Sequence, residues 1–238
     1  MGSSNGKAQM RLLARLLTTL LALLCSGMTM AEEDPFERGN RKVHAFNDFV
    51  DTKLIRPTAQ GYKKVLPAPV RYSVGNFFGN LEDVGDSINN ALQGKPKQAF
   101  SDLGRVLVNS TIGIGGLFDP ASQMGLIDHD EDFSQTLSVW GVPRGPYIVI
   151  PGLGPSTIRG MFGQLAAGSR TNPLRYYYPV SHRNSLFALS VVNTRADLLS
   201  ADGVVFGDKY IFYREAYLQR REFLEKDGVV EDPFGDDF

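Results

Sequence analysis

The strongest constraint in this sequence is one apolar stripe. Val70, Val74, Phe77, Leu81, Val84, Ile88 and Leu92 recur in steps of mostly three and four residues. That spacing lays them along one face of a long helix. Gly94 is a natural stop, and Pro96 suits the first turn of a following helix. The face opposite the stripe carries Ser73, Gly75, Asn76, Gly79, Asn80 and Gly85, which are small and barely charged. Two placements fit such a helix. It packs its stripe into a core, which composition alone favours, or it lies shallowly in an apolar medium.

Other segments repeat the helical period. Val43, Phe46, Val50 and Leu54 share a face, and Pro57 is expected to end it. Ala99, Phe100, Leu103, Val106, Leu107 and Ser110 follow Pro96 and run into Gly113-Ile114-Gly115-Gly116. Asp119-Pro120 opens a short helical turn. Phe133, Leu137 and Trp140 form another stripe, closed by Gly141. Ser156 is expected to cap a helix carrying Ile158, Phe162 and Leu165. Two further helices span about 184–199 and 208–226. The stretch 145–155 is apolar but studded with glycine and proline, so it holds a short strand or a buried loop, not a long helix. The fold is therefore expected to be mainly α.

Charge excludes some functions. Lys and Arg total 25 against 26 Asp and Glu, a net charge of −1, with no basic run suited to nucleic acid. One cysteine rules out an internal disulfide, and three separated histidines offer little for a metal. No Gly-x-Ser-x-Gly elbow is present. Gly113-x-Gly115-Gly116 lacks the Lys-Ser/Thr of a phosphate loop and reads better as a helix stop with close chain approach. The acids of Asp128-His129-Asp130-Glu131-Asp132 are consecutive, so their side chains splay apart. They suit a helix N-terminus better than a cation site. His44 and His182 read as structural or surface residues. Asn109-Ser110-Thr111 fits a glycosylation acceptor, a triplet common by chance.

The first residues form a leader. Lys7, Arg11 and Arg15 precede an apolar run from Leu16 to Cys25, and Thr29-Met30-Ala31 offers small residues before Glu32. This is the layout of a signal peptide over 1–31, too short to span a bilayer as an anchor. Cys25 is a candidate lipidation residue, but Leu23-Leu24 stands where acylation wants a small residue, so cleavage after Ala31 is expected. The division expected is a leader at 1–31, a single helical domain at 32–226, and an acidic flexible tail at 227–238.

Four ordered blocks complete the picture. They are Asp34-Pro35-Phe36-Glu37 with Asn40-Arg41 and Phe46-Asn47; Asn76-Phe77-Phe78-Gly79-Asn80-Leu81 running to Asn90-Ala91-Leu92-Gln93-Gly94; Asn109 to Gly113 with Gly116-Leu117-Phe118-Asp119; and Glu131-Asp132-Phe133, Gln135-Thr136-Leu137, Trp140-Gly141, Gly145-Pro146-Tyr147 and Leu153-Gly154-Pro155-Ser156. In these blocks the chain resembles the MlaA (VacJ) family of Gram-negative outer-membrane lipid-transport lipoproteins. The resemblance implies an all-α, ring-like arrangement of amphipathic helices around a central amphipathic channel, with a Gly/Pro-rich apolar loop or hairpin. It implies a protein embedded in the outer membrane from the periplasmic face and associated with a trimeric porin. It also implies that mislocalised phospholipid passes from the outer leaflet to a periplasmic MCE-type carrier, with no cofactor and no catalytic residue. On this reading Phe133, Trp140, Ile148, Val149, Ile150 and Leu153 are candidates to border the lipid path. A porin-associated scaffold and a lipid-active hydrolase are the rival readings.

Overall fold

The computed structural model describes residues 34–165 and 171–229. The chain divides into two units, Met1–Pro35 and Phe36–Phe238. The expected leader, with Cys25, and residues 230–238 of the expected tail lie outside the described residues.

The second unit is built from helices and one small hairpin. α1 runs Glu37–Val50, a π-helical turn Asp51–Ile55 follows, and α2 runs Arg56–Val65. Pro57 therefore does not end the helix, as periodicity predicts. The Arg56 amide donates to Asp51 O, five residues back, and this widened turn accommodates a proline that lacks its own N–H. α3 is Ala68–Leu92 and α4 is Pro96–Thr111. Gly94 between them has φ +77, as the expected stop requires. α5 is Pro120–Gln123, with Asp119 accepting from the Ser122 amide, and α6 is Phe133–Val139, with Asp132 accepting from Gln135 N.

The Gly/Pro-rich stretch forms an antiparallel hairpin, β1 Tyr147–Ile150 with β2 Gly154–Thr157, in which Tyr147 faces Thr157 and Ile150 faces Gly154. α7 is Ile158–Gly163. Ser156 does not cap it. The strand extends to Thr157, whose Oγ1 accepts from Gly160 N at 3.1 Å, while the buried Ser156 hydroxyl donates to Thr157 O. α8 (Val180–Leu198), a 3-10 segment Leu199–Val204 and α9 (Lys209–Glu225) complete the unit.

Packed neighbours within residues 36–229 form a closed circuit. It runs α1, π-turn, α2, α8, α3, α6, α7, β2, β1 and back to α1. The mainly helical make-up with one small hairpin is the one expected from the sequence. α4 packs on α3, and α9 packs on β2 and α6.

Burial is inverted relative to a water-soluble domain. Among the described residues no leucine, isoleucine or methionine is buried, although these are among the most buried types in soluble proteins. The stripe of α3 is not a core face: Val70, Ile88 and Leu92 are exposed, while Asn80, Asp83, Asn89 and Asn90 on the other side are buried. α4 behaves alike. Asp102, Arg105 and Asn109 point inward, and Phe100, Leu103 and Leu107 point outward, Phe100 being 74% exposed.

The seam between α3 and α4 is consequently polar, and most of its buried groups are paired, although the Oδ1 atoms of Asn80 and Asn90 have no hydrogen-bond partner. Arg105 Nε meets Asp83 Oδ2 at 3.3 Å, and its Nη1 donates to Ser122 Oγ and Leu126 O. Asn90 Nδ2 donates to Asp102 Oδ2 at 2.8 Å, and His129 Nδ1 lies 2.7 Å from Asp102 Oδ1. Gly116 (φ +87) sits where a Cβ would fall 2.8 Å from Asn80, so this glycine serves close chain approach, as its loop suggests.

The apolar core is small. Tyr147, Val149 and Tyr210 form it, with Val43, Tyr217 and Leu218 packed against them. Tyr147 and Tyr210 meet edge-to-face at 6.2 Å.

Candidate lipid-binding site

α1 holds the hairpin by two asparagines seven residues apart, two helical turns on one face. Asn40 Nδ2 donates to Tyr147 O at 3.1 Å, and its Oδ1 accepts from Val149 N at 2.9 Å. Asn47 repeats the pattern with Ile150 O at 3.0 Å and Gly152 N at 2.8 Å. The Asn40 amide thus stands in for the backbone amide of a third strand along β1, and the Asn47 amide satisfies the hairpin turn at Ile150 and Gly152.

Beside this clamp lies an open-sided cavity of about 410 Å3, lined by α1, the π-turn, β2, the end of α8, the 3-10 segment and α9. Its size falls in the roughly 300–1,000 Å3 range of ligand sites. Pro155, Leu198, Ala201, Val204, Val205 and Phe212 give it an apolar wall. Asp48, Asp51, Arg195 and Asp202 supply polar groups. Arg195 grips Asp51 through Nε (2.8 Å) and Nη2 (3.0 Å) and reaches Asp202 at 3.0 Å. These carboxylates hold its guanidinium above the usual range. Lys209 Nζ meets Asp48 at 3.1 Å. His44, which also lines the cavity, is pushed below its ordinary pKa by burial and packs on Tyr210 and Tyr213. The polar side is charge-paired and the rest is greasy, so the cavity suits an amphiphile.

The six candidates from the sequence do not converge on one cavity. Tyr147 and Val149 face the core, and Ile148 and Ile150 alternate with them on the half-buried face of β1. Leu153 stands at the hairpin turn, 63% exposed. Their strand partners Pro155 and Gly154 line the large cavity. Phe133 and Trp140 lie elsewhere, edge-to-face at 5.8 Å, with Trp140 Nε1 donating to Leu92 O. Phe133 borders a smaller cavity of about 200 Å3 with Leu81, Asp86 and Asn89. Sequence reasoning missed Arg195, Asp51, Val205 and Phe212. Only the π-turn and the return of α8 and α9 bring them together, and no local period marks that.

The acidic run behaves as consecutive residues should. Asp128 lies near Arg105, His129 meets Asp102, Asp130 meets Arg220, Glu131 meets Lys95 and Asp132 meets Arg221. Asp83, Asp86 and Asp128 bring carboxylate oxygens within 4.8 Å of one another. Arg105 already supplies positive charge to Asp83 and Asp128. Burial, reinforced by Asp130, Asp128 and Asp83, pushes the Asp86 carboxyl up to about 9. Asp83 is likewise raised by burial, against the pull of Arg105. A guanidinium and bound protons thus relieve the crowding of these acids.

A family described as MlaA lipoprotein matches residues 32–224 of the chain. The intermembrane phospholipid transport system lipoprotein MlaA of Escherichia coli (strain K12) is 34% identical over 231 residues, covering 93% of this chain and 91% of that protein. An uncharacterized protein of Rickettsia bellii (strain RML369-C) is 36% identical over 192 residues, covering 79% and 75%. A solved structure, described as the structural basis for maintenance of bacterial outer membrane lipid asymmetry, superposes with a TM-score of 0.69 at 32% identity. It covers 81% of this chain and 98% of its own.

Proposed function

Because this chain belongs to the MlaA lipoprotein family, we propose that its apolar exterior holds it in a bilayer leaflet and that its cavity receives phospholipid acyl chains. The chain is a phospholipid-transport component of the outer membrane, serving the maintenance of lipid asymmetry. Its inverted burial is the observation that supports this reading most. Ile88 and Leu92 on α3 and Phe100, Leu103 and Leu107 on α4, which water would drive inward, are turned outward, and buried carboxylates and amides fill much of the interior.

No described helix is long and apolar enough to cross a membrane. The protein then sits within one leaflet, entered from the periplasmic face, held by the outward apolar side chains and by a trimeric porin. Phospholipid mislocalised to the outer leaflet passes along the amphipathic cavity and leaves to a periplasmic MCE-type carrier. The work is non-enzymatic: an apolar wall carries the acyl chains, and the paired charges of Asp51, Arg195 and Asp202 face the headgroup. Ile148, Ile150 and Leu153 border the path at the hairpin, whose strand partners Gly154 and Pro155 line the cavity, with Val149 backing them from the core. Phe133 borders it at the smaller cavity, with Trp140 packed edge-to-face behind it. No cofactor is required.

Organic extraction of the purified full-length protein tests this directly. Phospholipid is expected to co-purify, and Val205→Trp, which fills the cavity, is expected to reduce it and to raise outer-leaflet phospholipid in cells. Lipid-free protein, or lipid unchanged by Val205→Trp, would sink the cavity assignment. Release of free fatty acid from labelled phospholipid would instead reinstate the hydrolase. Ile150→Asn with transport intact removes Ile150 from the path.

A further inference from the structure

Charge is segregated along this chain in a way that transport alone does not use. Between Asp51 and Glu82 there are five basic residues, Lys53, Arg56, Lys63, Lys64 and Arg71, and no acid. Of the five, only Arg56 is in an ion pair with a described carboxylate, Asp202 at 3.0 Å. Lys53, Lys63 and Lys64 are exposed. Arg71 is half-buried, and its Nε is out of contact with water and has no hydrogen-bond acceptor.

Lys63, Lys64 and Arg71 flank an apolar corner where α2 ends and α3 begins. Val65 is 77% exposed, and Tyr72 and Val70 are exposed beside it. Lys209 is answered by Asp48, and Arg41 by Glu37 and Asp208. Lys63, Lys64 and Arg71 lie close together in sequence with no described acid paired to them. Unpaired ammonium groups set around exposed apolar side chains match the boundary between headgroups and acyl chains. The chains take the Val65 and Tyr72 side, and phosphate takes the lysines.

We propose that the α2–α3 corner is a docking surface for anionic phospholipid headgroups, with Lys63, Lys64 and Arg71 meeting lipid phosphates while Val65 and Tyr72 enter the leaflet. The proposal rests on the membrane placement given above and adds to it a lipid class and an orientation. The whole chain carries a net charge of only −1, so the attraction is local to this corner. Salt screens it within a Debye length, whereas burial of the apolar side chains is insensitive to salt.

The test is flotation of the purified full chain with two kinds of vesicle, pure phosphatidylcholine and phosphatidylcholine mixed with phosphatidylglycerol, at low and high salt. The wild-type protein is expected to bind both, with a preference for phosphatidylglycerol that high salt removes. Lys63→Gln/Lys64→Gln, at two exposed positions that leave the core intact, is expected to weaken binding to the mixed vesicles by roughly tenfold or more and to leave phosphatidylcholine binding unchanged. Lys53→Gln, farther from the corner, is expected to have less effect. A double variant that keeps the full preference overturns the proposal. So does wild-type protein that binds both vesicles equally, and in that case the membrane reading survives. Binding to neither vesicle overturns both. Loss of co-purified porin in the double variant, with vesicle preference unchanged, would make the corner a protein interface and overturn the lipid assignment.

Discussion

The α3–α4 seam and the hairpin–α9 core bury opposite kinds of side chain. The seam encloses Asp83, Asn90, Asp102, Arg105 and Asn109 and turns phenylalanine and leucine outward. The core encloses Tyr147, Val149 and Tyr210. A buried charge is tolerable only when paired and hydrogen-bonded, so the seam is specified by complementary partners. The aromatic core is specified by shape. The first arrangement makes sense where the outside is itself apolar, because burial then gains little for a leucine and much for a paired carboxylate.

The sharpest way to break the contrast is Arg105→Ala. It strands Asp83 and Asp119 without their counter-ion and is expected to cost about 3–5 kcal/mol in denaturant unfolding of the detergent-solubilised protein. A loss under about 1 kcal/mol would mean the seam is wet and the contrast overstated. Tyr147→Ala should cost about 3 kcal/mol by opening a cavity against Tyr210 and Tyr217. Since Tyr147 O also receives Asn40, whose other end holds Val149, the hairpin amides should lose hydrogen-exchange protection with it.

The two regions also differ in their response to pH. Asp86 binds its proton far more tightly in the folded chain, near 9, than when unfolded. Its contribution to stability is therefore fullest below the unfolded carboxyl pKa and declines as pH rises toward about 9. The melting temperature of the wild type should fall between pH 5 and pH 9, and Asp86→Asn should flatten that slope. An unchanged slope would exclude Asp86 as its source. The smallest effect belongs to the outer face. Phe100→Ser should change stability in detergent by less than about 0.5 kcal/mol, since that side chain has no core to leave. Retention in membrane fractions should drop instead. A large loss of stability would show that Phe100 packs inward after all.

Much was legible locally. Gly94 and Pro96 mark the turn between α3 and α4, Asp119 and Asp132 mark helix starts, and the Gly/Pro-rich 145–155 stretch excludes a long helix. These depend on caps and backbone restrictions within a few residues, which sequence displays openly. Pro57 and Ser156 read differently in the fold for a physical reason in each case. A π-turn absorbs the first, and strand pairing across the hairpin delays the helix start past the second.

The period of α3 and α4 likewise announces an apolar face, but not which way it looks. A stripe with spacing three and four has the same pattern whether it meets a core or a bilayer. The decision lies with Asp83, Asp102 and Arg105, which can be buried only once two helices bring their charges within reach. The cavity is the same kind of fact. Asp51 and Arg195 are 144 positions apart and meet at 2.8 Å because α8 returns beside the π-turn. Helix ends and periods are short-range and stand in the sequence; which side of a helix is exposed, and where a cavity opens, are fixed only after distant charges have paired.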